Sequence, residues 1–162
     1  MAATVLHTER LELVLLDPAT ARLLAAGRPD GRPWADGYPL GSSLLRAELT
    51  VAAAAQERPL GAFGSYQIVR REDGTVIGDV GFMGPPDETG AVSLLCSVAL
   101  PSRGRRYATE ALRALLAWAT AQEGLTCVLA DTTRSNTVAR RLLERAGFRL
   151  VGADGELRYY ML

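Results

Sequence analysis

The sequence contains no lysine; all 18 of its basic residues are arginine. That absence excludes Schiff-base chemistry on a lysine amine. It also excludes a Walker-type phosphate loop, which needs its lysine at the phosphates. Histidine occurs once, at His7, and cysteine twice, at Cys96 and Cys127. These residues have no metal-ligand spacing, so no metal centre is expected. Both cysteines sit in apolar stretches and read as buried free thiols rather than as a disulfide. No apolar run approaches the roughly 20 residues of a membrane span. Net charge is lacking too. Eighteen acidic residues balance the arginines, which argues against nucleic acid or a membrane surface as partner. The N-terminal stretch lacks the basic-then-apolar plan of a secretion signal, so a cytoplasmic address is expected.

What is present is a chain of 162 residues, 48% of them apolar. One domain spanning 1–162 is expected, with a core large enough to fold without staples. Residues 10–16 read as a first strand. Asp17 then caps a short helix over 18–26, with Pro18 at its first position. A Gly- and Pro-rich loop follows over 27–43, carrying Trp34 and Tyr38. A loop this long in a compact domain is usually functional, and the two aromatics are its candidate substrate contacts. A second helix is expected over 44–56. Strands at 65–70 and 75–83 flank the turn Glu72-Asp73-Gly74. The run 92–100 is nearly all apolar, as in a strand covered on both faces.

The clearest helix is 107–122. Ala108, Ala111, Leu112, Leu115, Leu116 and Ala119 follow its 3.6-residue period without a miss. A short strand at 126–131, a helix at 137–146 stopped by Gly147, and strands at 149–151 and 157–162 complete the chain. The order is β-α-α-β-β-β-α-β-α-β-β. The fold class is α+β on a mixed, mostly antiparallel sheet flanked by helices.

The most informative segment is Ser102-Arg103-Gly104-Arg105-Arg106-Tyr107-Ala108-Thr109-Glu110-Ala111. It joins the apolar strand to the strongest helix. A turn at a helix N-terminus presents unpaired N–H groups and the positive end of the helix dipole, which together make an anion site. Three arginines in four positions add donors suited to phosphate oxygens. The segment resembles the acyl-CoA pyrophosphate loop of the GNAT superfamily of N-acyltransferases, Q/R-x-x-G-x-G/A. Arg103 fits its first position and Ala108 its last, while Arg106 stands where the middle glycine belongs. A second stretch, Asn136 through Gly147-Phe148, resembles the family's Asn-to-Gly-Phe segment. A third, Thr8-Glu9-Arg10-Leu11, is similar to the opening strand of the RimJ/RimL-like branch, which acetylates α-amino groups of proteins and other amines.

The resemblance implies acetyl transfer from acetyl-CoA to a primary amine, on a small molecule or a protein N-terminus, by direct attack. It implies a bulged fourth strand, 92–100, splayed from the fifth, 126–131, to admit the pantetheine arm. The cofactor contacts it implies are Ser97, Val98, Ala99, Arg103, Gly104, Arg105, Arg106, Tyr107, Ala108, Thr109 and Asn136. Backbone N–H groups near Ser97–Ala99 would donate to the thioester oxygen. A homodimer is compatible with this reading.

The proton-handling positions depart from the pattern. Many relatives carry Glu on the fourth strand in a Glu-Ile-Gly-Tyr-like stretch; this chain reads Ser93-Leu94-Leu95-Cys96. The family's acid, a Tyr seven residues after the Asn or a Ser three after it, falls here on Leu143 and Ala139. The candidate substitutes are Asp79, Glu88 and Cys96, with Ser93 as a water ligand and Tyr159 or Tyr160 as donors. Two alternatives stay open: a catalytically weakened module that binds acyl-CoA or a partner, and a GNAT-fold enzyme with different acyl-CoA chemistry.

Overall fold

Alternating apolar residues and well-placed turn residues build one eight-stranded sheet in the computed structural model, which describes residues 4–162. The strands are β1 (Val5–His7), β2 (Leu11–Leu15), β3 (Ser65–Arg70), β4 (Thr75–Phe82), β5 (Ala91–Val98), β6 (Cys127–Thr133), β7 (Arg149–Asp154) and β8 (Leu157–Met161). The helices are α1 (Pro18–Ala25), α2 (Gly41–Ala55), α3 (Tyr107–Ala119) and α4 (Thr137–Arg145). The sheet order is β1-β2-β3-β4-β5-β6-β8-β7, antiparallel throughout except for β5 beside β6. The expected α+β class and mixed sheet are both present.

Several elements differ from the sequence reading: β5 ends at Val98 rather than at 100, α3 at Ala119 rather than at 122, and β6 and β7 run on to Thr133 and Asp154 rather than to 131 and 151. Strand β1 was not expected; three residues are too few to show a period, and its stability comes from pairing with β2. Helix α2 begins at Gly41 rather than at 44. Gly41, Ser42 and Ser43 are poor helix formers, but Ser43 Oγ accepts the Leu40 N–H at 3.2 Å and closes the first turn. Asp17 caps α1 as expected, accepting the N–H groups of Ala19 and Thr20.

The sheet buries an apolar layer on each face. On one face α3 and α4 pack Leu112, Leu115, Leu116 and Leu143 against Ile68, Val80, Val92 and Val128. On the other, α1 and α2 pack Leu24 and Ala47 against Val14, Val69 and Val76. The helical stripe read in α3 supplies much of the first layer.

The expected bulge in β5 is absent. Strand β5 pairs with β4 in unbroken register from Phe82↔Leu94 to Gly78↔Val98. Register shifts occur instead between Ile68 and Val69, one strand over where β3 meets β4, and between Leu150 and Gly152 in the β7–β8 pair. At the first of these β4 carries one extra residue, Ile77, and such an irregularity bends the strand. Gly78, the next residue, is in contact with β5. A Cβ there would overlap the Ser97 carbonyl oxygen and lie 2.9 Å from Val98 Cα. The clash is with backbone, which cannot swing aside. Gly78→Ala is therefore expected to cost about 3 kcal/mol, or a melting temperature lower by about 6–12 °C. Thermal unfolding followed by circular dichroism checks this.

Candidate active site

Strand β5 is paired with β6 over only three positions, from Ala91↔Cys127 to Ser93↔Leu129. Beyond Ser93 the two strands separate. Ala99 donates its N–H to Ile77 O at 2.8 Å, and Met83 donates to Ser93 O at 3.2 Å. Between those bonds an antiparallel ladder alternates. The backbone groups of Ser93, Leu95, Ser97 and Ala99 therefore face β4. Those of Leu94, Cys96 and Val98 face the gap. This revises the expected donor set: the N–H groups aimed into the gap belong to Cys96 and Val98, not to Ser97 and Ala99. Arg103 Nε donates to Val98 O at 2.8 Å and so closes the end of the gap.

The turn from Arg103 to α3 is left-handed at Gly104 (φ +78) and at Arg106 (φ +62). Turns of this kind make anion-binding concavities of backbone N–H groups. Arg106 holds that conformation despite its Cβ, at a cost of roughly 1–2 kcal/mol relative to an unstrained site. A cleft of about 300 Å³ opens beside the turn. Val98, Arg103, Gly104, Arg106, Tyr107, Ala108 and Thr109 line it, all expected cofactor contacts. Its opposite wall is Val138, Arg141, Leu142 and Arg145 of α4. The sequence reading missed that wall. Its signal was available, because 138, 141, 142 and 145 lie one helical turn apart on one face. A larger open groove of about 710 Å³ shares Arg106, Thr109 and Arg145 and adds Arg10 and Arg113.

Asn136 is not among the residues lining the cleft. It is exposed and caps α4, its Oδ1 accepting the Ala139 N–H at 3.1 Å. Ser97 is bound from α2, with Ser42 Oγ 3.1 Å from Ser97 Oγ. Arg105 is exposed, and its carbonyl accepts a hydrogen bond from Arg10 Nη1.

That last contact belongs to a clamp that the opening motif builds. Glu110 Oε1 accepts from Thr8 Oγ1 at 2.6 Å and from Arg10 N at 2.8 Å, and Oε2 accepts from Arg10 Nε at 2.7 Å. The Arg10 guanidinium also stacks 4.5 Å above the Tyr107 ring. Thr8-Glu9-Arg10 thus pins the β1–β2 turn to the first turn of α3. Partial burial would raise the Glu110 pKa, but the bonds from Thr8 and Arg10 outweigh it and hold the pKa below the usual glutamate range. A carboxylate with a lowered pKa adds stability above its unfolded value, about 4.3, and that stability is lost as pH falls through the lower folded value. Glu110→Ala is expected to cost about 2–3 kcal/mol at pH 7. The difference from wild type should narrow below about pH 4. Urea unfolding at both pH values measures it.

The proton-handling candidates are dispersed. Glu88 is exposed in the turn before β5, away from the gap. Cys96 is half-buried, and burial pushes its thiol up to about 11, so it is a neutral thiol near pH 7. Leu143 is core. Tyr160 is buried, its hydroxyl meeting Glu144 and Arg140 of α4. Tyr159 is partly exposed on the opposite face.

Asp79 sits within a buried polar cluster. It is 1% exposed and accepts hydrogen bonds from Tyr38 Oη at 2.9 Å and from Ser43 Oγ. Burial raises its pKa, opposed by Arg46, Ser43 and Tyr38. Tyr38 also receives Gln67 Nε2 at 3.3 Å and meets the Trp34 ring edge-on at 5.6 Å. Trp34 forms a bridge to Val76. Tyr38 and Trp34 therefore anchor the 27–40 loop onto β4 instead of standing open to a substrate. Sequence spacing could not show this cluster, because it gathers a loop, a helix and two strands.

The model of the acetyltransferase (GNAT) domain matches residues 10–149. The chain belongs to the GNAT acetyltransferase family. A protein of Bordetella pertussis described as a GnaT-family acetyltransferase superposes with a TM-score of 0.69 at 28% identity, covering 98% of both chains. The uncharacterized N-acetyltransferase YjdG of Bacillus subtilis (strain 168) is 28% identical over 99 residues. That match spans 61% of this chain and 59% of the length of YjdG. The ribosomal-protein α-N-acetyltransferase RimL, solved in complex with coenzyme A, shares the fold at a TM-score of 0.72 and 13% identity, covering 98% of this chain and 97% of that one. Among the described residues no cluster of metal-ligating side chains occurs. None of their helices is long and apolar enough to cross a membrane.

Proposed function

We propose that this chain, as a single domain, transfers an acetyl group from acetyl-CoA to a primary amine by direct attack in a ternary complex. The observation that carries this reading is the opened edge of β5, with the N–H groups of Cys96 and Val98 facing a gap that leads to the Arg103–Thr109 turn. These residues fit coenzyme A: a strand edge for an amide-bearing arm, and an arginine-rich helix N-terminus for a pyrophosphate. Acetyl-CoA would supply the activated acetyl thioester. Cys96 and Val98 N–H are the donors available to its carbonyl oxygen. Arg106, Arg113 and Arg145 line the groove that continues from the turn and suit the remaining phosphate. Val138 and Leu142 give the cleft an apolar wall.

The acceptor enters from the α2 side of the sheet, opposite α3 and α4. Neither carboxylate among the sequence candidates stands open at the gap, Asp79 being enclosed and Glu88 lying in the turn before β5, so the amine arrives neutral or loses its proton to water. That favours amines of low pKa, such as the α-amine of a peptide. RimL-type relatives, named for acetylating a ribosomal-protein α-amine, support the same class. The absence of an acid at Leu143 supports a second reading, a GNAT-fold module that binds acyl-CoA without turnover. Calorimetric titration with acetyl-CoA, run beside a thiol-release assay on a panel of amines, separates the two. Binding with amine-dependent thiol release is expected. Binding without release selects the second reading, and failure to bind overturns both.

A further inference from the structure

The α2-facing side of the sheet holds a polar feature that CoA binding does not use. Arg46, on α2, is 5% exposed, and its Nε and Nη1 are buried without a partner. Ser65, at the start of β3, is 3% exposed, and its Oγ is also unpartnered. Both line one cavity of about 10 Å³, whose other lining residues are Leu49, Thr50, Leu60, Phe82, Met83 and Leu95. That volume admits a single oxygen atom.

Asp79 does not complete this site. It accepts from Tyr38 and Ser43, and Arg46 is in no ion pair with it or with any other of the described residues. Burial works against the charge on Arg46, and Asp79 is the first group that offsets it. Burial also raises the Asp79 pKa, which weakens that offset. A buried guanidinium with two idle donors is costly until an anion meets it. A hydroxyl beside it supplies a third donor to the same oxygen-sized space.

The location connects this cavity to the reaction. Leu95, at its wall, pairs with Gly81 on the face that carries Ser97 and Asp79. The next residue, Cys96, turns its backbone to the gap. One strand therefore separates the cavity from the gap. Met83, one of its lining residues, is 50% exposed, so the cavity wall on that side reaches the surface.

We propose that Arg46 and Ser65 receive a carboxylate oxygen of the acceptor, so that the preferred substrate is an amine that also carries a carboxylate, such as a short peptide with a free C-terminus. This rests on the acyl-transfer reading above. The apolar rim accommodates the carbon chain while the charge is matched inside.

Triglycine and its C-terminal carboxamide test the proposal, because their amines have similar pKa values and differ mainly in the remote charge. Wild type is expected to favour triglycine about tenfold or more in kcat/KM. Arg46→Met should bring that ratio to about one, through KM for the acid, whereas a merely structural role would lower both substrates together. Ser65→Ala should reduce the ratio severalfold and serves where Arg46→Met does not fold. Equal use of acid and carboxamide by wild type overturns the proposal and leaves the cavity to a water. If no amine releases thiol, the acyl-transfer reading falls by itself. Calorimetric titration of triglycine and its carboxamide onto the CoA-treated protein then decides: tighter binding of the acid upholds the site, and equal or absent binding overturns it.

Discussion

Replacing Arg103 and Arg105 together with alanine is expected to weaken acetyl-CoA binding by about 10- to 100-fold. The two side chains act differently. Arg103 Nε is committed to Val98 O, so its loss frees the end of the gap as well as removing donors. Arg105 is exposed and its carbonyl is held by Arg10, so its loss removes charge and leaves the turn in place. The single Arg105→Ala variant should therefore show a loss that shrinks at high salt, because exposed charges are screened. Arg103→Ala should keep most of its loss in salt. Calorimetric titration of both singles and the double at two ionic strengths checks this. An unchanged dissociation constant in a folded double variant would remove the turn from the binding site.

The second large effect is on the pH dependence of turnover. With no dedicated base, the rate should follow the neutral fraction of the acceptor. At pH 7.5 about a quarter of an α-amine of pKa ~8 is neutral, against about a thousandth of a lysine-type amine of pKa ~10.4. Matched acceptors should thus differ by about two orders of magnitude in kcat/KM at that pH. Their inflections between pH 6 and 9.5 should move with the amine. An inflection fixed at one pH for both acceptors would reveal an enzyme base. Asp79 is the group to replace first, because burial raises its pKa. Loss of the fixed inflection in Asp79→Asn would then identify it.

Much of the architecture was legible because it is written in local patterns. The stretch 107–122 reads as a helix in the sequence because its apolar residues recur every 3.6 positions, and the helix forms over Tyr107–Ala119, three residues short of that reading. Ser65–Arg70 appears as a strand and has those bounds. The cleft was legible for a similar reason: its near wall is one contiguous turn, so Arg103 through Thr109 could be named together. Its far wall was harder to see. Arg141 and Arg145 are ordinary exposed helix residues until α4 is placed beside α3.

The same distinction explains the positions that changed. Trp34 and Tyr38 read as substrate contacts because a long loop with aromatics invites that inference. Tyr38 instead finds Asp79, 41 residues away, and becomes an anchor. Asn136 reads as a cofactor contact by resemblance, yet its side chain serves the helix it opens. Which N–H groups face the gap depends on the phase of the β4–β5 ladder, which no one-dimensional pattern encodes.

By itself, the sequence determined that no lysine nucleophile is available, that an arginine-rich turn opens a helix, and the element order of an α+β sheet. These follow from composition and from spacings within about one turn or strand. The tertiary structure alone decided that Arg46 and Ser65 share a cavity, that Asp79 is enclosed by Tyr38 and Ser43, and that Cys96 and Val98 turn their backbone to the gap. The physical reason is that burial, hydrogen-bond satisfaction and strand phase depend on which distant segments meet, and the free energy of meeting is shared across the whole core rather than stored in any one stretch of chain.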